Sequence, residues 1–339
     1  MDNLTEQKGL SRIIRIVLLL FLGVSIFFVV GCATSNFYTR YYNYQQCIVE
    51  VLMDGRLQGS GWFASQDGEV ITAAHVIKQG KVIQIRDYKS RRIPYSIQAV
   101  DIGHDLALLK PSVNYTTPNF FKVSQTKPAP FEMIYLAGAA LFRHNLILPG
   151  WVARAESTFE FSPVFDEYIA VYHVAADTPP GTSGGCWVNK RGQVVGLQSG
   201  LMTLSGAGQG VAFVVPPDAI SKLLKEKRNQ STSTIQCIIE ELWEQPVDVI
   251  KKFPESATGV IIVKLIKNGV AEKAGLKNGD LIISINGEKV EKRDDFIRAL
   301  RKVKKGGIAR LSVLSQNEKE PKSIDVVVQS LEEIVKFSD

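Results

Sequence analysis

Pro180–Gly185, PGTSGG, places Ser183 among three glycines, Gly181, Gly184 and Gly185. Glycines at that density let the backbone turn tightly and aim its N–H groups inward, the geometry that stabilises an oxyanion. Here the amides of Gly181 and Ser183 would supply it, although a plain glycine-rich hairpin has the same composition. A serine hydroxyl needs a base to become a nucleophile. His75 closes the small-residue end of VITAAHVI, where a strand opens into a loop, and it could equally be a core histidine. Asp105, in DIGHDLALLK, precedes an apolar run beginning at Leu106, and a carboxylate buried there needs donors such as an imidazole N–H. Asp101 is the competing carboxylate, but it does not adjoin that run. The chemistry these three residues could carry is acyl transfer.

Gly181-Thr182-Ser183-Gly184-Gly185 also fits G-x-S-x-G, the nucleophile elbow of α/β-hydrolases, which requires a histidine after the serine. His75, His104, His144 and His173 are the only histidines and all precede Ser183, so the order His, Asp, Ser of the chymotrypsin class remains. The elements around these residues must therefore be strands. From about Cys47 to Phe213 the chain reads as short alternating strands, punctuated by Asp54-Gly55, Asp67-Gly68 and Lys190-Arg191-Gly192, without a long amphipathic helix. The polar stretch Lys222–Thr234 reads as a helix end running into a linker. Beyond Ile235 strands return with two helical patterns: AEKAGL, stopped by Gly275, and DDFIRALRKV, with Phe296, Ile297, Leu300 and Val303 on one face. The expected organisation is an N-terminal export or anchor segment (1–32), an aromatic linker (33–46), a β-rich domain (47–221), a linker (222–234) and a small α+β domain (235–332).

Taken in order, TAAHV, DLALL and GTSGG resemble the trypsin-like peptidases of the HtrA (DegP and DegS) family. GSGWFAS at Gly59–Ser65 is similar to the family's strand before the histidine, and GQGVAFVVP at Gly208–Pro216 to the strand after the active site. The resemblance implies a mainly β fold, a trypsin-like double β-barrel followed by a PDZ domain, with catalytic His75, Asp105 and Ser183. It departs from the family at Thr182, where Asn is usual, at Cys186, where proline is common, and loosely at Leu136–Asn145. Asp177 stands at the spacing where trypsin-like enzymes carry the acid that binds a basic side chain, whereas HtrA enzymes favour small aliphatic residues. An Asp capping the turn before Thr178-Pro179-Pro180 explains it equally simply.

Thr258–Val290 resembles the core of an HtrA-type PDZ domain. Such domains add a peptide's C-terminal strand to a sheet edge and hold its carboxylate on backbone amides. By position QCIIE, Gln236–Glu240, would be that loop and strand, with Cys237, Ile238 and Ile239 meeting the peptide and DDFIRALRKV forming the other wall. This loop lacks the usual glycine. A PDZ fold kept for packing is the other possibility.

At the N-terminus Lys8, Arg12 and Arg15 precede the apolar run Ile16–Val30. VVGC, ending at Cys32, resembles a bacterial lipobox, which implies a lipoprotein; the run also suffices for an uncleaved membrane helix. Either places the rest of the chain outside the cytoplasm, in the bacterial cell envelope. The five aromatics of Asn36–Tyr44 fit a trimer contact of HtrA-like enzymes or an interfacial belt. A net charge of +6 is spread over scattered Lys and Arg mixed with acids, which points to solvated surface rather than a nucleic-acid partner. Cysteine spacing contains no zinc pattern; Cys47, Cys186 and Cys237 could include one pair but read best as buried thiols. The resemblance implies a cofactor-free, metal-free serine endopeptidase, homotrimeric, that cuts unfolded or mislocalised envelope proteins and reads C-terminal peptides. The alternative is an inactive scaffold whose PDZ domain recruits partners.

Overall fold

The computed structural model describes residues 43–140 and 143–337. The expected anchor, the lipidation candidate Cys32 and most of the aromatic segment lie outside the described residues. Among the described residues no helix is long and apolar enough to cross a membrane. The described residues from Cys47 onward form one compact unit.

Twelve strands build two closed six-stranded barrels, as the mainly β expectation requires. The first contains β1 (Ile48–Met53), β2 (Arg56–Phe63), β3 (Val70–Ala73), β4 (Ile83–Arg86), β5 (Arg92–Asp101) and β6 (Leu106–Pro111), in the order β1-β2-β3-β6-β5-β4. The second contains β7 (Met133–Ala140), β8 (Arg143–Ser162), β9 (Glu167–Ala175), β10 (Cys186–Val188), β11 (Val194–Leu204) and β12 (Ala207–Val215), in the order β10-β11-β12-β9-β8-β7. Hairpin chemistry fixes the register. Asp54 and Gly55 take φ values of 50° and 77° between β1 and β2, the positive-φ pair whose twist matches the flanking strands. Closure leaves Trp62, Phe63, Ile71, Leu106 and Leu108 fully buried in the first barrel and Trp187, Leu136 and Val174 in the second. Each such side chain contributes about 1.5–3 kcal/mol relative to exposure.

Helix α1 (Pro217–Glu226) follows the second barrel, starting on a proline whose fixed φ suits a first turn. Beyond that helix, within the stretch read as a linker, Lys227, Arg228, Asn229 and Ser231 are exposed while alternate and later residues turn inward. Gln230, Thr232, Ser233 and Thr234 are buried, and each finds a polar partner: the Gln230 amide donates to Val100 O at 2.9 Å, and β13 (Ser233–Thr234) pairs with β20 (Gln329–Ser330). Their hydroxyls and amides tolerate burial because they are hydrogen-bonded.

The second domain is a sheet in the order β14 (Cys237–Glu241), β15 (Val260–Leu265), β16 (Leu281–Ile285), β18 (Ile308–Leu314), β19 (Lys322–Val327), with β17 (Glu288–Lys289) beside β16. Short helices α2 (Val247–Ile250) and α3 (Val270–Lys273) lie between strands, α4 (Arg293–Lys302) crosses toward β14, and α5 (Leu331–Ile334) ends the described chain. Gly275, at φ 93°, closes α3 as its position predicts. Phe296, Ile297 and Leu300 of α4 pack with Ile239, Val260 and Ile282. That core does not stop at the domain's edge. Phe159 and Ala170 of the second barrel belong to it, and so does Tyr168.

Candidate active site

Three different local structures bring His75, Asp105 and Ser183 to the seam between the barrels. His75 sits in the 3-10 turn Ala74–Ile77 directly after β3. Asp105 follows the 3-10 turn Ile102–His104 and opens β6, in a left-handed conformation with φ 53° and ψ 44°. Aspartate tolerates this region better than most residues. The turn is closed by Asp105 N–H donating to Ile102 O at 3.0 Å, and Ala74 N–H donates to Asp105 O at 3.0 Å. Ser183 is carried by the loop before β10.

Asp105 is 1% exposed and is satisfied by three donors. Its Oδ1 accepts from the His75 amide at 2.9 Å, and its Oδ2 accepts from His75 Nδ1 at 2.7 Å and from Ser199 Oγ at 2.5 Å. A buried carboxylate acceptor fixes the imidazole with Nδ1–H toward Asp105, leaving Nε2 as the basic nitrogen. Burial pulls the His75 pKa down, but the charge and hydrogen bond of Asp105 outweigh it, and the net shift is upward. The competing carboxylate, Asp101, is committed elsewhere: it pairs with His104 Nδ1 at 2.9 Å.

The serine loop is held by the opposite barrel. Ser60, fully buried in β2, donates its amide to Ser183 O at 2.7 Å and its hydroxyl to Gly181 O at 2.8 Å, and that hydroxyl accepts from Ala139 N–H at 2.8 Å. Gly184 must be glycine. Its φ is 84°, and a Cβ there would lie 2.1 Å from Ser60 O. Gly181, at φ 94°, orients the turn. Thr182 N–H donates to Pro179 O, Gly184 N–H to Gln198 O and Gly185 N–H to Thr182 O. The amides of Gly181 and Ser183 have no acceptor within the protein among the described residues, so two adjacent donors are available for a developing oxyanion. Ser183 Oγ donates to Ser199 O at 3.3 Å.

Ser199 had no signal in the sequence, being one serine in the apolar strand β11; it touches both Asp105 and Ser183. Gln198 beside it was equally silent. It is 1% exposed, and its amide accepts from Trp187 Nε1 at 2.9 Å while donating to Thr178 Oγ1 at 3.2 Å and Gly200 O at 2.6 Å. Asp177 is exposed whereas Thr178 is buried. Thr182, in place of Asn, turns its hydroxyl to Pro179 O at 2.8 Å. Cys47, Cys186 and Cys237 are buried; burial pushes the Cys47 thiol up to about 12 and the Cys186 thiol well above its ordinary value. No group of His, Cys, Asp and Glu among the described residues could hold a metal ion.

The expected peptide-binding edge, β14, lies apart from this seam and is covered. Ile239 exchanges two hydrogen bonds with one side chain: its N–H donates to the Tyr168 hydroxyl at 3.1 Å, and that hydroxyl donates to Ile239 O at 2.5 Å. Glu167, next to Tyr168, accepts from the Thr234 hydroxyl just before the loop. Burial pushes the Glu167 pKa up, against the hydrogen bonds from Thr234 and the Tyr168 amide and the charge of Arg301. On the other wall Asp294 accepts from Thr158 Oγ1 at 2.9 Å, and Arg301 lies 4.6 Å over the Phe159 ring. Gln236, where glycine was missed, adopts φ 62° and is pinned by Gln236 N–H to Thr234 Oγ1 and Val270 N–H to Gln236 Oε1. Cys237 and Ile239 are buried and Ile238 is partly so.

Residues 59–197 match the family of trypsin-like peptidase domains and residues 261–314 that of PDZ domains. Serine protease HTRA1 of Xenopus tropicalis is 30% identical over 284 residues, covering 78% of this chain and 59% of that protein. A protein of Pseudomonas putida described as a probable periplasmic serine endoprotease, DegP-like, is 27% identical over 283 residues, covering 80% of this chain and 56% of its own. The chain thus spans less than two thirds of the length of these relatives. The solved structure described as HtrA-type protease AlgW with decapeptide superposes with a TM-score of 0.63 at 16% identity, covering 86% of this chain and 98% of that one. At that identity the likeness is one of fold.

Proposed function

This chain belongs to the HtrA family of trypsin-like serine proteases carrying a PDZ domain, and from that premise we propose that it is a serine endopeptidase of unfolded or mislocalised proteins. Ser183 is its nucleophile, His75 its general base and Asp105 the residue that orients the base. The observation that carries this is the Nδ1 contact of 2.7 Å between His75 and an Asp105 that is itself fully satisfied. In the reaction, Ser183 Oγ leaves Ser199 O and meets His75 Nε2. His75 takes the hydroxyl proton as Oγ attacks the scissile carbonyl, and the Gly181 and Ser183 amides receive the oxyanion. The imidazolium returns the proton to the leaving amine, giving an acyl-enzyme that water cleaves by the same steps. The chain works in the bacterial cell envelope, held by its N-terminal segment through Cys32 or an uncleaved helix, as a homotrimer.

The PDZ domain takes peptide C-termini at the edge of β14. Because Tyr168 occupies the polar groups of Ile239, a peptide must displace that hydroxyl to add its strand. The exposed position of Asp177 does not favour a pocket for basic side chains.

The test is cleavage of a denatured protein by the full chain. Ser183→Ala should reduce turnover on the order of a millionfold while preserving the fold. Equal cleavage by that variant, or none by the parent chain, rejects the assignment, the latter in favour of a scaffold.

A further inference from the structure

The turn that presents Asp105 is gripped from behind by the second domain. Within the first barrel, the turn's own closure and the bond from Ala74 are the backbone hydrogen bonds of Asp105 among the described residues. Such a conformation persists where surrounding contacts over-determine it. Two side chains remote in sequence supply contacts to the turn. Arg301, on α4, donates Nη1 to Gly103 O at 3.3 Å and Nη2 to Tyr168 O at 2.6 Å. Glu332, on α5, accepts from the Ile102 amide at 3.2 Å through Oε1, and through Oε2 from the Thr232 amide and the Ser330 hydroxyl, each at 2.8 Å. Gly103 lies against Thr232 so closely that a Cβ would come within 2.5 Å of its Oγ1.

Burial outweighs the opposing charges of Glu167, Asp101 and Glu332 and holds the Arg301 pKa below its ordinary value. One of them, Asp101, is bonded to His104 within the same turn. The residues on both sides of Asp105's turn are therefore tied to a domain that contributes no reacting group.

We propose that Arg301 and Glu332 are positioning residues for peptide hydrolysis, fixing the Ile102–His104 turn so that Asp105 meets His75 in register. The proposal rests on the peptidase reading above. Misplacing a catalytic group by about 1 Å through a distant substitution can cost about a hundredfold in rate, and neither Arg301 nor Glu332 is itself a reacting group. The expected signature is therefore a fall in kcat with KM retained.

The experiment compares Arg301→Ala, Arg301→Lys and Glu332→Ala in the full chain, measuring kcat and KM on a peptide substrate, thermal melting, and the low-field proton resonance of the His75–Asp105 hydrogen bond. Arg301→Ala and Glu332→Ala should lower kcat by about tenfold to a hundredfold, with KM within about twofold, and should shift or broaden that resonance. Arg301→Lys keeps the charge and a donor, and should restore part of both. If Arg301→Ala fails to fold, Glu332→Ala decides. A lowered melting temperature with kcat and the resonance unchanged overturns the proposal, leaving only a docking contact. Covalent labelling of the unmodified chain by a fluorophosphonate is read in parallel; absence of labelling rejects the peptidase reading itself, whereas the proton resonance still reports whether the turn moves.

Discussion

The seam between the barrels and the edge of β14 are both sites where a peptide backbone would be received, and their polar groups are in opposite states. At the seam, Asp105 and Ser60 are fully engaged, while the amides of Gly181 and Ser183 are left without acceptors among the described residues. At β14, the amide and carbonyl of Ile239 are already satisfied by Tyr168. Unpaired donors in a rigid loop are suited to charge that appears only during reaction, because no reorganisation is needed when it develops. A strand edge capped by one hydroxyl is suited to exchange, because an incoming backbone replaces two hydrogen bonds with equivalent ones. On the proposed function, the difference separates a site for chemistry from one for competition.

The largest break in this contrast should come from Asp105→Asn. That change keeps the shape but presents a donor where an acceptor is needed, favouring the wrong imidazole tautomer, and kcat should fall by about ten-thousandfold. Its pH profile carries a second sign. In the parent chain Asp105 raises the His75 pKa, and the base works only when neutral, so the acidic limb of kcat/KM lies above the ordinary imidazole value of about 6.5. Without the carboxylate charge, burial alone remains and that limb should move to lower pH. An acidic limb that stays in place would show that Asp105 does not set the charge state of His75.

Ser199→Ala should have a smaller effect. It removes one charge-assisted hydrogen bond to Asp105, a loss of about 1.5–3 kcal/mol at most, so kcat should fall by about tenfold to a hundredfold. A variant as impaired as Asp105→Asn would mean that the hydroxyl does more than help orient the carboxylate.

The smallest change is expected on the competitive side. Tyr168→Phe removes both hydrogen bonds to Ile239 and should tighten binding of a C-terminal peptide about tenfold, given net values of about 0.5–1.5 kcal/mol per bond. Fluorescence titration with a labelled peptide measures it. Weaker binding would place the tyrosine hydroxyl among the groups that hold the ligand instead of the groups that block it.

How far each site was legible follows from the range of the interactions that build it. The glycines at 181, 184 and 185 are a local mark around Ser183, and the structure requires glycine at 184. His75 and Asp105 each adjoin a strand with an apolar run, so their pairing at 2.7 Å could be anticipated. Turn residues such as Asp54-Gly55 led to a β-rich barrel or sandwich, and the double barrel came from the family resemblance. Ser60 and Ser199 could not be read, since a serine in an apolar strand has no local mark of the partner it will meet across a barrel. The covering of β14 was invisible for the same reason: Tyr168 and Ile239 are separated by 71 positions and Arg301 and Gly103 by 198. At Lys222–Thr234 the sequence shows the helix end at Glu226, but not the burial of Gln230, Thr232, Ser233 and Thr234, which rests on hydrogen bonds made far along the chain.

The central claim is that Ser183 is an activated nucleophile. It is tested most directly by incubating the full chain with a fluorophosphonate and locating the adduct by peptide mass spectrometry. The account predicts a single adduct on Ser183, lost in His75→Ala. Labelling that spares Ser183, or an unlabelled chain that is folded by thermal melting, would contradict it.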